Sequence, residues 1–327
     1  MNKLNKIIFF SYFFLQLLFL QTVSAEEKIK IGLLVPMTGS NKNIGESIIK
    51  AVQLAVKDID SNLIEIYPKD TATRPNQTLK SAFEFKEMGI KIVIGPVFFE
   101  SLTYLDEMKD LTFLSLTNKT LDIPKNVISA GINSTSQFTT IKKFLEINQI
   151  KRTIFLTPIQ NYEFEVVKGI KNSKIKTFQE YIYNTDPTKL TKQIEKITNY
   201  KIRKQNLEDE IYRIKKSNEP NKEKKIKRLE KRYTLGGLNF DAIVIADFDE
   251  SLKSVTTSLL YTDVLPKNKY FITLNQWFDE SLLNETDIQP LYYPSINKEN
   301  FDAYKIKYYN AFREDPTHLS LLSYDLV

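Results

Sequence analysis

The sequence predicts an α/β protein of two lobes, each built on a doubly wound parallel sheet. Three observations carry that expectation. Short apolar runs alternate with longer segments whose apolar residues recur at three- and four-residue spacing, the pattern of buried strands and the helices that cover them. The alternation uses five strands and then begins again near residue 134. Roughly 300 residues follow an N-terminal leader, which fits two domains better than one.

The opening unit is Lys28–Ala55. Ile29, Ile31, Leu33, Leu34 and Val35 form a buried strand. A loop with Thr38, Gly39 and Ser40 follows, and the helix Ile44–Asp58 presents Ile48, Ile49, Val52, Leu54 and Ala55 as one apolar stripe. Strand Leu63–Tyr67 exits through residues 68–72. Helix Asn76–Met88 turns Leu79, Ala82, Phe83 and Phe85 inward and stops at Gly89. Strand Ile90–Ile94 closes at Gly95-Pro96, a short helix spans Ser101–Met108, and strands Thr112–Leu116 and Asn126–Ile132 complete the first set.

The second set reads helix Ser136–Ile147, strand Arg152–Leu156, helix Tyr162–Ile170 and strand Lys176–Tyr183. Strand Asp241–Ala246, helix Ser251–Tyr261 and strand Tyr270–Leu274 follow. Pro290–Ser295 is extended and Asn300–Phe312 helical, and Leu319–Val327 starts a further helix that looks cut short. No sequence repeat relates the two sets. Between them lies Thr188–Tyr233, where Leu207, Ile211 and Ile214, then Ile226, Leu229 and Tyr233, recur at helical spacing around Ser217-Asn218-Glu219-Pro220. That pattern predicts a charged helical hairpin with a narrow apolar seam, Pro220 standing in the first turn of its second helix. It reads equally as a solvated spacer or as a contact for an acidic partner or membrane headgroups.

Residues 1–25 have the layout of a signal peptide: Lys3 and Lys6, an apolar run from Ile7 to Leu20, and Val23-Ser24-Ala25 before the expected cut. The run is shorter than the roughly 20 residues of a membrane span. Export to the periplasm without lipid anchoring is therefore expected, since there is no cysteine to carry a lipid. The same lack excludes disulfides, cysteine zinc sites and thiol catalysis. Charge is local rather than general. Segment 196–233 holds 14 Lys and Arg against 6 Asp and Glu, whereas the chain beyond the leader and this segment is net −4. A nucleic-acid partner is not expected.

Enzymatic chemistry finds little support. His318 is the only histidine, so no Ser-His pair forms without it. Phosphate-loop and dinucleotide glycine motifs are absent. Acidic pairs such as Asp247/Asp249 have no ligand spacing around them, so neither metal nor cofactor is expected. Binding is the better class. In α/β folds, ligands bind at the carboxyl ends of strands. The residues leaving those ends are Thr38, Ser40, Phe98, Ser101, Thr117 and Asn118 in the first set. In the second they are Tyr162, Asp247 and Trp277, with Gln160, Asn161 and Asn275 nearby. Thr38 and Ser40 could serve an anion or merely a turn and helix cap.

Pro36-Met37-Thr38-Gly39-Ser40 with Ile44-Gly45, then Asp70-Thr71, Gly95-Pro96 and the ending Phe301…Tyr304…Tyr308…Asp315-Pro316, resembles the type I periplasmic binding proteins, branched-chain amino-acid receptors among them. Leu114–Thr120 and Asn239–Ile243, the latter after a charged insert, resemble one branch more closely, the penicillin-binding-protein activators. The resemblance implies a first lobe of 28–133 to which 290–327 returns, and a second of 134–289 that includes the hairpin 188–233. It implies a non-enzymatic regulator of a peptidoglycan synthase acting by protein contact, with a small molecule possible in the inter-lobe cleft. The alternative is the substrate-binding component of an ABC importer, with a permease partner and a branched-chain amino acid or amide as ligand. Phe98-Phe99-Glu100 stands where those receptors carry small hydroxyl residues that grip the ligand.

Overall fold

The computed structural model describes residues 28–275 and 284–327. The leader and Trp277 lie outside the described residues. Strands β1 (Ile29–Val35), β2 (Ile64–Asp70), β3 (Ile92–Ile94), β4 (Thr112–Ser115) and β5 (Val127–Ser129) form one sheet in the order β2-β1-β3-β4-β5. Strands β6 (Thr153–Pro158), β7 (Gln179–Tyr183), β8 (Ala242–Ile245), β9 (Tyr270–Thr273) and β10 (Leu291–Tyr292) form the second, β7-β6-β8-β9-β10. Every pairing is parallel. Numbered within each sheet, both orders are 2-1-3-4-5, the doubly wound α/β arrangement that the alternation predicts. Each therefore has a switch point, between β1 and β3 and between β6 and β8, where loops diverge and a crevice opens.

Both faces of each sheet are covered, which explains the nearly continuous apolar strands. In the first sheet, Ile31, Leu33 and Val35 pack with Ile48 and Val52 of α1 (Lys42–Ile59). Leu34, Val93 and Phe113 pack on the other side with Ala82 and Phe85 of α2 (Pro75–Glu87). Gly45 is required at the start of α1, where a Cβ would stand 1.9 Å from the Pro36 carbonyl oxygen. In the second sheet, successive residues of β6 and β8 alternate between faces. Phe155, Ala242 and Val244 meet α3 (Ser134–Ile147) and α4 (Glu163–Ser173). Ile154, Leu156, Ile243 and Ile245 meet α5 (Pro187–Ile197) and α8 (Asp249–Tyr261). Each fully buried Leu, Ile or Phe contributes about 1.5–3 kcal/mol.

After β10 the chain returns to the first sheet. Tyr304 and Tyr308 of α9 (Lys298–Phe312) and Leu321 of α10 (His318–Asp325) cluster with Ala51 and Leu54 on the outer face of α1. Buried Tyr304 donates to Ser320 at 3.0 Å, and Thr317 N donates to the Ser47 hydroxyl at 3.1 Å. Since Leu291–Tyr292 is the edge strand of the second sheet, the return begins after it rather than at residue 290.

Several local expectations change. Residues 101–108 form two 3₁₀ turns, Phe99–Leu102 and Leu105–Glu107, in place of one helix. The Asn126 amide gathers the carbonyls of Leu105, Met108 and Leu111, satisfying groups that a longer helix would have paired internally. Phe83 is 45% exposed, because α2 buries the face carrying Thr78, Ala82 and Phe85 and Phe83 lies one residue off it. In the charged segment, α5 is an ordinary covering helix with Leu190 and Ile194 buried. The rest of the segment forms α6 (Tyr200–Lys216) and α7 (Lys222–Leu229), which lie against each other. Pro220 stands in the turn before Asn221, the N-cap of α7, rather than inside its first turn.

Candidate functional site

The crevice between the two sheet edges contains a cavity of about 500 Å³. The first lobe supplies most of its wall: Val97, Phe98, Phe99 and Glu100 after β3, and Leu116, Thr117, Asn118 and Lys119 after β4. Gln137, Phe248, Asp249 and Asn275 come from the second lobe, and Leu319 and Leu322 from α10. Gly95 allows the β3 exit loop to turn here: its φ is +97°, and a Cβ would meet the Leu34 carbonyl oxygen at 2.1 Å.

Four of the residues singled out from sequence, Phe98, Thr117, Asn118 and Asn275, line this cavity. Thr38, Ser40, Ser101, Tyr162 and Asp247 do not. Thr38 does not face it; its hydroxyl donates to Asp70 at 2.6 Å, while Met37 N and Ala72 N donate to the other carboxylate oxygen at 2.7 and 2.8 Å. The opening loop is thus fastened to the end of β2. Burial works to raise the Asp70 pKa, but the donors from Thr38, Ala72 and Met37 outweigh it and hold the carboxyl below its ordinary range. Ser40 is exposed in the turn, and Asn41 rather than Ser40 occupies the N-cap position of α1. Ser101 is 1% exposed in a 3₁₀ turn, and its hydroxyl has no hydrogen-bond partner among the described residues.

Asp247 is 2% exposed and is the centre of a closed network. Its carboxylate accepts from Tyr162 at 2.8 Å, from Tyr183, from Ser251 at 2.6 Å and from Phe248 N at 2.8 Å. Burial and the adjacent carboxylate push both tyrosine pKa values up, so the phenols remain donors. The Tyr162 ring packs edge-on against Phe248, with centroids 5.4 Å apart. Tyr162 and Asp247 therefore brace the second lobe behind the cavity wall.

Hydroxyls along the first-lobe edge are also engaged inwardly. Ser115 donates to the Pro96 carbonyl at 2.7 Å, Ser129 donates to the Thr117 carbonyl at 2.8 Å, and Thr117 Oγ1 accepts from Lys119 N at 3.2 Å. On the opposite side, Asn275 N donates to Gln137 at 2.7 Å and the Asn275 amide donates to the Pro294 carbonyl at 3.0 Å. Gln137 lies in a helix with no sequence sign of a cleft role, and only the fold brings it to Asn275. Among the described residues no group of three or more His, Asp or Glu could hold a metal ion.

Beside the cavity, the lobes are fastened together by Glu165 of α4. This 8%-exposed carboxylate accepts from Thr120 N at 2.8 Å, the Thr120 hydroxyl at 2.6 Å and Leu121 N at 2.7 Å. Lys168 donates back to the Thr120 carbonyl at 2.6 Å. Thr120 and Leu121 lie between β4 and β5 of the first sheet, whereas α4 covers the second. Burial tends to raise the Glu165 pKa, yet the three donors hold it below the ordinary range.

Two parallel sheets of equal topology facing one crevice, with ligand-sized space between their carboxyl edges, define a two-lobed binding-protein fold. The sequence model of the periplasmic binding protein family matches residues 28–198, more than half of the chain, and the chain belongs to that family. Among solved structures, it is similar to a putative branched-chain amino acid ABC transporter protein from Rhodospirillum rubrum (TM-score 0.62, 12% identity, covering 91% of this chain and 81% of that one). It is also similar to the C-domain of LpoA from Haemophilus influenzae, described as a regulator of PBP1A (TM-score 0.53, 15% identity, 90% and 83%). A third is a branched-chain amino acid periplasmic ligand-binding protein from Burkholderia xenovorans (0.56, 11%, 91% and 76%). At these identities the likeness is one of fold. A search of curated sequences finds no significant match.

Proposed function

We propose that the chain is an exported, non-enzymatic regulator that acts by protein contact on a peptidoglycan synthase. The observation that carries this reading is the first-lobe wall of the crevice. A free amino acid needs hydroxyls and backbone N–H groups for its carboxylate, but this wall is largely Val97, Phe98, Phe99 and Leu116, and its one hydroxyl, on Thr117, already accepts from Lys119 N. A charge of a zwitterion left unpaired against that apolar stretch costs several kcal/mol to desolvate. The Glu165 clamp supports the same reading by holding the lobes in one arrangement. The similarity to LpoA, whose C-domain is described as a regulator of PBP1A, supplies the partner class. The lobes in this proposal are 28–133 with the C-terminal helices, and 134 to about 292.

A second reading, the solute receptor of an ABC importer, is favoured by the cavity of about 500 Å³, which suits an apolar amide. Thermal shift separates the two. A receptor saturated at a hundred times Kd gains about 2.7 kcal/mol, a rise of roughly 5 °C for a chain of this size. No shift with amino acids or their amides, together with capture of a synthase by the purified chain, is the expected result. A shift of that size with any such solute overturns the regulator.

A further inference from the structure

We propose that α7 is a docking face for an anionic phospholipid bilayer, independently of what the crevice does. The charge of the α6–α7 pair is sorted rather than mixed. Two of its six acidic residues hold it together: Glu210 pairs with Arg213 at 2.7 Å, and Glu219 pairs with Arg213 at 2.7 Å and Lys225 at 2.6 Å. Arg203 at the base is buried, donates to the Thr262 carbonyl at 3.0 Å and lies 3.6 Å from Asp263, fixing the projection to the second lobe.

What remains is a one-sided array. Lys224, Lys227, Arg228, Lys231 and Arg232 are all exposed, and among the described residues none has a carboxylate oxygen within ion-pair distance. At about 100° per residue, Lys224, Lys227 and Arg228 fall on one face of the helix, Lys231 and Arg232 follow just past its end, and half-buried Ile226 and Leu229 point the opposite way, toward α6. Only Glu223 and Glu230 stand beside the array, at its flank.

The composition of that face selects the partner. Protein interfaces are built around buried aromatic or aliphatic anchors and are poor in lysine, and this face offers lysine without an anchor. Phosphate headgroups need only cations, and guanidinium forks match them bidentately. A chain with seven arginines places four in residues 196–233, and two of these, Arg228 and Arg232, face outward. Because the chain outside that segment and the leader is net −4, its field turns the hairpin, and not the lobes, toward a negative surface.

The test is cosedimentation of the chain, purified from the exported fraction, with vesicles of phosphatidylcholine alone or with phosphatidylglycerol added. Each cation at an anionic surface strengthens partition about fivefold. Retention on the anionic vesicles at low salt, release as salt approaches about 0.5 M, and loss of about a hundredfold or more in K224E/K227E/R228E/K231E are expected. Since α7 has no fully buried residue, that variant should keep its melting temperature, and reversal of exposed Lys91, Lys109 and Lys125 in the first lobe should leave binding unchanged. Equal retention on neutral vesicles, wild-type retention by the α7 variant, or tighter capture by polyglutamate than by the vesicles would overturn the proposal.

Discussion

The two sheets share one strand order, yet their carboxyl edges are chemically unlike. In the first lobe, Asp70 sits on an outer strand and ties a surface loop down, and the loops after β3 and β4 line the cavity. In the second, Asp247 sits at the switch-point strand itself and is filled by two tyrosines, a serine and a backbone N–H. Equal topology thus carries two carboxylates with different work, one fastening a surface loop and one buried within its own lobe behind Phe248 and Asp249 of the cavity wall.

This contrast is most directly broken at Asp247. Replacing it with alanine leaves the buried Tyr183 hydroxyl and the half-buried Tyr162 and Ser251 hydroxyls without this acceptor, and the unfolding free energy in urea should fall by about 3–5 kcal/mol. Asp70→Ala should cost about 1–2 kcal/mol, since that network is shallower and water can replace the lost acceptor. Equal losses for the two variants would show that both edges are structural to the same degree.

Between these extremes stands the clamp that joins the two edges. Glu165→Gln should lower stability by roughly 1–3 kcal/mol. The folded-state pKa of Glu165 lies below its unfolded value, so its contribution is complete above the ordinary glutamate pKa and is lost as pH falls through the folded one. The gap between wild type and variant should therefore be level from about pH 7 to 5 and shrink below about pH 4 in paired denaturation curves. A gap that widens on acidification would reverse the assignment.

The strands were legible because a sheet covered on both faces has little room for polar side chains. Leu33-Leu34-Val35 and Ala242-Ile243-Val244-Ile245 declare themselves as continuous apolar runs. The position of the crevice was legible for a related reason, since loops at the carboxyl ends of parallel strands converge there. Which side chains would face it was not. Asp247 and Thr38 both follow a strand, and nothing local distinguishes a ligand-facing polar group from one consumed internally. Their fates are set by Tyr162 and Tyr183, 85 and 64 residues away from Asp247, and by Asp70, 32 residues from Thr38. Gln137 meets Asn275 across 138 residues, a pairing that no window of periodicity contains. Helical spacing marked residues 200–229, but not the anchorage of Arg203, because a buried arginine in a basic stretch looks like its exposed neighbours.

The cluster on the outer face of α1 has a consequence for biogenesis. Ala51 and Leu54 pack in one cluster with Tyr304, Tyr308 and Leu321, roughly 250 positions downstream. A polypeptide emerging amino end first from a translocation pore therefore carries an uncapped first lobe until nearly everything described here has passed through. Ordering of that helix's outer face therefore waits on the carboxyl-terminal helices, whichever way the rest of the first sheet has assembled.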